Sequence, residues 1–356
     1  MNGFTKNQIL SLPLLIAICM VGCDGAGIDN TSSLPQEQTA FLNITVADIS
    51  TRTTIPENGT EQERSADILY IYFFSAADGH LLRINTYTPT GVFPYTVSVP
   101  PEIIHAGEVD VQVFASPGII MPENPTRDEL TTLRIPGMTE QNGIGETFLN
   151  YITATRHLPM TSAEVRCNFA KPNTVHIPLT RSVAKLRIRI ADRISPAANV
   201  TLHRDEMSMQ LRHLRIGTPF LPLAAGGHTP ADIPVFNSQR FETGTAHPLV
   251  PQTLPGPPEV LWEHTAYVNE HIFNAAPGAT LPDNRISLHL NLPLTTGTVK
   301  ETVNRYELPL DFPVSRNHIY QLTVNLYGPG TGPEEIEARL TWEISSWEVI
   351  ETDIIQ

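Results

Sequence analysis

Apolar and polar residues alternate along most of the chain with a period of two, the pattern of strands with one face on a core. Val109, Val111, Val113 and Ala115 alternate with Asp110, Gln112 and Phe114, which predicts one core face. Phe93, Tyr95, Val97 and Val99 alternate with Pro94, Thr96 and Ser98 until Pro100-Pro101 ends the run. The same period returns at Met207, Met209 and Leu211, at Ile286 to Leu292, at Tyr306 to Phe312 and at Tyr320 to Leu326. Ile68 to Phe74 is instead continuously apolar, so a strand covered on both faces is expected. Ala77-Asp78-Gly79 then predicts a hairpin turn into a strand carrying Leu82, Ile84 and Thr86. A single helical pattern stands out in this half: Asn124-Pro125 precedes Asp128, Glu129, Leu130 and Leu133, with Pro125 expected at the first helical position.

Two changes of phase organise these strands. Val175, Ile177 and Leu179 lie on odd positions and Leu186, Ile188 and Ile190 on even ones, with Arg181 and Lys185 around the switch. Such a change means a bulge or two strands in sequence. The boundary between two domains, 41–180 and 181–356, is placed there. Gly217 to Pro258 is rich in Pro, Gly and His and predicts long loops with some strand. The second change follows Leu340, Trp342 and Ile344, after which Trp347 and Val349 take the other phase and Ile350, Ile354 and Ile355 follow. An apolar terminal segment needs a partner. Near the other end, Phe41 to Arg52 reads FLNITVADISTR: Phe41, Ile44, Val46 and Ile49 predict a short strand, and the stretch closes on an Arg among Thr and Ser.

Composition agrees with an all-β chain. The 356 residues are 41% hydrophobic and only 17% charged, with 31 Pro and 22 Gly, which suits many turns between strands. A net charge of −14 argues against nucleic acid as a partner, because that needs a basic face. Lys6 precedes an apolar run, Ile9 to Val21, too short to span a bilayer as a mature helix. Met20-Val21-Gly22-Cys23 then resembles a bacterial lipobox, which would make Cys23 the acylated first residue of the mature protein; an ordinary secretory signal is the alternative. Loss of residues 1–22 removes Lys6 and no acid, so the charge becomes 22 − 37 = −15. From Asp24 to Ala40 the chain is a polar tether, in which Asp24 and Asp29 are candidates for a sorting signal.

Little in the chain points to catalysis. With Cys19 in the leader and Cys23 acylated, Cys167 is left without a disulfide partner and reads as a small hydrophobe. There is no HExxH, GxSxG, P-loop or GxGxxG motif, so neither an enzyme nor a cofactor nor a metal is expected. Among the 12 His, Glu263-His264 and Glu270-His271 are seven apart, close to helical spacing, and read as a solvated amphipathic face sooner than a metal site. Trp262, Tyr267, Trp342 and Trp347 would serve a glycan-binding platform, against which stands burial in a core.

In order along the chain, several pieces resemble the Bacteroidales fimbrillin superfamily, the subunits of type V fimbriae. They are the lipobox at Cys23, the early strand ending in Thr51-Arg52-Thr53, ILYIYFFSAADG at 68–79, VDVQVFASP at 109–117 and LPMTS at 158–162. VHIPLTRSVAKLRIRI at 175–190, SRNHIYQLTVNL at 315–326 and the Trp-containing strands at 342–347 complete the set. The resemblance implies two tandem transthyretin-like β-sandwich domains with Greek-key-type connections, a two-sandwich count that the strands favour independently. It also implies a lipoprotein precursor at the outer membrane and a cut by an Arg-specific protease after the first strand. A C-terminal strand of a neighbouring subunit then fills the vacated groove. Mapped here, the removable strand is Phe41 to Ile49 and the cut follows Arg52, with Arg64, in an accessible polar run, as the alternative. The donor lies within Leu340 to Ile355, with Leu340, Trp342, Ile344, Trp347 and Val349 as its candidate side chains. The implied partners are other fimbrial subunits joined head to tail, the outer membrane through Cys23, and a host or bacterial surface ligand. An uncleaved anchor or tip subunit and a surface glycan-binding lipoprotein are the alternatives.

Overall fold

A computed structural model describes residues 39–47, 60–136, 157–170, 173–193, 200–203, 206, 208–215, 217–221, 235–236, 239–242, 260–272, 285–301, 305–327 and 338–346. The described elements are strands, apart from two short α-helices and one 3-10 turn. Residues 38–356 form one compact unit.

Strands up to Arg181, apart from Arg134–Pro136, form one eight-stranded sheet. In order across it come Leu81–Tyr87, Leu69–Ser75, Glu108–Ala115, Met160–Ser162, Thr174–Arg181, Phe41–Val46 and Tyr95–Ser98, while Val165–Asn168 pairs alongside Glu108–Ala115. Both wings turn side chains into the same core: Leu69, Ile71, Val111 and Val113 from one, Leu42, Ile44, Ile177 and Leu179 from the other. The sheet therefore folds back over itself as a two-layer sandwich. The run at 68–74 is covered on both faces, as its lack of alternation predicts, since Tyr72 and Phe74 pack outward against Phe114, Leu130 and Phe220.

The Glu108–Ala115 strand differs from expectation. Asp110, Gln112 and Phe114 are buried as well as the valines. The cause is the excursion after Ala115, whose helix Arg127–Thr132 lies over this face and brings in Leu130. That helix begins two residues later than Pro125 predicts, at Arg127: Thr126 is the N-cap, its hydroxyl accepting from the Glu129 N–H while the Glu129 carboxylate accepts from the Thr126 N–H. Reciprocal capping satisfies donors that Pro125 cannot.

Past the break at Ser182, the chain builds a second sandwich. Val260–Asn269, Val183–Asp192, His318–Leu326 and Ala338–Ser346 form one sheet in that order; Gln239–Glu242, Ser208–Arg212, Ser287–Asn291 and Arg305–Pro309 form another. Leu186, Ile188, Ile190, Leu322 and Val324 meet Met209, Leu211, Leu288 and Leu290 in a second core. The phase change near Arg181 is thus two strands in sequence. The chain joins the two groups of strands again where Arg134–Pro136 pairs with Gly217–Pro219, and Phe220 meets the Phe114 ring edge-on at 5.6 Å.

Candidate functional site

The Phe41–Val46 strand is an interior member of its sheet. It runs parallel to Thr174–Arg181, from Phe41 opposite Thr174 to Val46 opposite Leu179, and antiparallel to Tyr95–Ser98, from Phe41 opposite Ser98 to Ile44 opposite Tyr95. Among the described residues, Tyr95–Ser98 reaches the sheet only through it. Both ends are tied in: Phe41 N–H donates to Asn173 O at 3.0 Å, and Ala47 N–H donates to Leu179 O at 2.6 Å.

Within the strand, the core residues are Leu42, Ile44 and Val46, the first two fully buried. Phe41, named with Ile44 and Val46 in the strand pattern, points outward with 37% of its surface exposed. The strict period of two through 42, 44 and 46 was the signal that singles out Leu42, since a strand cannot turn both 41 and 44 inward without a bulge. The rest of the outer face is polar, with Thr45 Oγ1 3.1 Å from His176 Nε2. Burial of the three aliphatic side chains contributes on the order of 6 kcal/mol. That is comparable with the whole stability of an ordinary domain, so the slot is costly to leave empty.

The strand ends at a buried polar network. Asn317 donates its side-chain amide to Ala47 O at 3.1 Å and accepts from Arg181 Nη1 at 3.2 Å. Arg181, fully buried, donates from Nε and Nη2 to Glu63 O at 3.2 and 3.0 Å. The Glu63 carboxylate meets Lys185 Nζ at 2.9 Å, accepts from the Tyr267 hydroxyl and caps Thr60 N–H at 3.0 Å. Lys185 and Tyr267 are cross-strand partners, so both reach the same carboxylate. Charges this deep persist only when paired and hydrogen-bonded, and this pair is both.

Cys23, Ile49, Arg52, Trp347 and Val349 lie outside the described residues. Leu340, Trp342 and Ile344 belong to Ala338–Ser346, among the described residues an edge strand, paired antiparallel with His318–Leu326, from Leu326 opposite Ala338 to His318 opposite Ser346. Arg64 is less accessible than its polar surroundings imply. It follows the 3-10 turn Glu61–Glu63, its Nε is buried, and Glu63, Ser65 and Ala66 beside it are buried. Its carbonyl accepts from Phe93 N–H at 2.8 Å. The turn draws this segment inward because Glu63 reaches its partners only from inside.

The side chains of Trp262, His264 and Trp342 lie outside the described residues, and the remaining candidates make structural contacts. Glu263 lies on a strand, not a helix, and bridges Arg187 and Arg189, each at 3.0 Å. Glu270 grips buried Arg316 at 2.9 Å. His271 is buried, and that burial, with Arg215 and His213 nearby, pushes its pKa down to about 4. Tyr267 is buried and does not join an exposed aromatic platform. Burial pushes the Cys167 thiol up to about 12, the state of an inert small hydrophobe. No group of three metal-ligating side chains occurs among the described residues, and no described helix is long and apolar enough to cross a membrane.

No protein-family model and no curated protein matches the sequence. Solved structures do match over nearly the whole chain. A protein from Parabacteroides distasonis assigned to cell adhesion superposes with a TM-score of 0.60 at 14% identity, covering 88% of this chain and 98% of its own. A fimbrilin, FimA, from Porphyromonas gingivalis gives 0.55 at 12% identity over 88% of this chain and 98% of its own. The tip fimbrial protein Mfa3 from the same organism gives 0.51 at 13% identity over 87% and 99%. The chain has the all-β sandwich fold of these fimbrillin-like proteins of the Bacteroidales.

Proposed function

We propose that this chain is a structural and adhesive subunit of a cell-surface fimbria, without catalysis, secreted as a lipoprotein anchored through Cys23 and assembled by strand exchange. Its two domains are 41–180 and 181–356, and its partners are further fimbrial subunits. The observation that carries the reading is the first strand: it is inserted between two others, supplies three core side chains, and is joined to the rest of the chain through a stretch containing Arg52. A cut there leaves the strand held without a covalent link. Once it leaves, Leu42, Ile44 and Val46 vacate an apolar groove flanked by unpaired backbone, which a strand with apolar residues at alternate positions refills. The C-terminal segment of another copy, containing Leu340, Trp342, Ile344, Trp347 and Val349, is the proposed donor. Because donor and groove are different surfaces, the contact propagates as a filament.

Arg52 is preferred over Arg64 on energetic grounds. A cut after Arg64 would carry off Glu63 and break its buried ion pair with Lys185, a loss of roughly 3–5 kcal/mol. A cut after Arg52 keeps that pair.

The test is the N-terminus and intact mass of surface-recovered protein, before and after an Arg-specific protease. A chain beginning at Thr53, accompanied by a ladder of oligomers that Arg52→Ala abolishes and Arg64→Ala does not, is expected. A chain still beginning at acylated Cys23 and monomeric after protease treatment would overturn activation by cleavage and leave an anchor subunit or a glycan-binding lipoprotein.

A further inference from the structure

The network below the first strand spans both sandwiches and ends beside the C-terminal strand pair. Ala47 closes the first strand, and Asn317 immediately precedes His318, the residue opposite Ser346 at the end of the Ala338–Ser346 pairing. Asn317 is fully buried, its φ is +57°, and its own N–H donates to Val183 O at 2.9 Å. Its backbone N–H is thus tied to the second sandwich, its side-chain oxygen to Arg181 and its side-chain amide to the first strand.

We infer that Asn317 is a relay that couples occupancy of the first-strand slot to the strength of the C-terminal strand pair in the same subunit. The inference rests on the strand-exchange reading for its purpose. When the first strand leaves, the Asn317 amide loses its acceptor, Ala47 O, and a donor left without a partner beside the core is unfavourable. Relief comes from rotation of the side chain or movement of the backbone at 317. The first perturbs the Arg181 contact; the second loosens the start of His318–Leu326, on which Ala338–Ser346 is held. A subunit whose groove is closed therefore keeps its C-terminal strand docked, and a subunit whose groove has opened releases it more readily. Acceptance and donation become linked within one molecule, in the sense of two sites biasing one shared element.

Hydrogen exchange on the full-length, uncleaved chain tests this without reference to any protease or polymer. Ile44→Asn weakens docking of the first strand, and Asn317→Gly deletes the relay while tolerating the positive φ. In the wild-type background, Ile44→Asn is expected to speed exchange in 41–47 and, by roughly tenfold, in 338–346, the size of an effect produced when a buried amide loses its acceptor. In the Asn317→Gly background, the same substitution is expected to speed 41–47 alone. Val46→Ala replaces Ile44→Asn if that variant does not fold. No response in 338–346, or an equal response in both backgrounds, overturns the relay. Oligomer ladders after cleavage, scored separately, decide the assembly reading whichever way the exchange experiment falls.

Discussion

At the scale of single residues, the first strand separates exposure from identity. Leu42 and Phe41 are adjacent large hydrophobes, yet only Leu42 faces the core. Leu42→Ala is expected to lower the stability of the uncleaved chain by about 2–5 kcal/mol in urea unfolding, and Phe41→Ala by less than about 1 kcal/mol. Equal costs would mean that the strand sits in another register. The Glu63–Lys185 pair makes a second case. Glu63→Gln keeps the shape but leaves Lys185 facing a neutral group, with an expected loss of roughly 3 kcal/mol. Joint replacement, Glu63→Gln with Lys185→Met, is expected to recover part of that loss, because it also removes the cost of burying the cation; a double variant no more stable than Glu63→Gln would contradict this.

Elements show how neighbours override local pattern. Asp110 sits in an alternating strand as if solvent-facing, but the helix and the loop after Ala115 bury it. It remains charged because Arg166 donates to it at 2.9 and 3.0 Å and Arg127 at 2.6 Å, and the Arg166 hydrogen bonds, against burial, hold its carboxyl below the usual range. The helix above is short, and its capping box carries much of its definition. Thr126→Ala is expected to cost about 1 kcal/mol in thermal unfolding and Thr126→Ser little. No difference between the two would remove the cap from the account.

For the whole molecule, one buried and one partly buried histidine give the acid limb of stability a defined shape. His271 has its pKa lowered from 6.5 to about 4 by burial, then by Arg215 and His213, and burial lowers that of His289 too. A base whose folded pKa lies below its unfolded value binds more protons when unfolded, so stability is complete above pH 6.5 and falls as the pH drops toward 4. For His271 the loss is on the order of 3 kcal/mol. Asp110, a depressed carboxyl, contributes in the same direction only as the pH passes below its unfolded value of 3.8. Urea midpoints at pH 7 and pH 4.5 check the assignment: His271→Leu is expected to shrink the difference between them, and an unchanged difference would place the acid sensitivity elsewhere.

What the sequence determined by itself is what short-range pattern records. Period-two alternation marks which side chains leave water, so the strands at 95–98, 287–291 and 318–326, the doubly covered run at 68–74 and the all-β class are all legible from neighbours two residues apart. The phase switch at Arg181 marks the passage from one sandwich to the next for the same reason. Pairing is not written there. That Phe41–Val46 lies between Thr174–Arg181 and Tyr95–Ser98 depends on segments up to 133 positions away, and the choice of Leu42 over Phe41 depends on that register. Glu63, in a run that reads as a solvated loop, meets Lys185 and Tyr267 only once two sandwiches have closed around it. The apolar pattern specifies local elements because burial is local to each side chain. The polar network that joins the first strand to the second sandwich exists only in the tertiary structure, because its members become each other's solvent when water has been excluded from all of them at once.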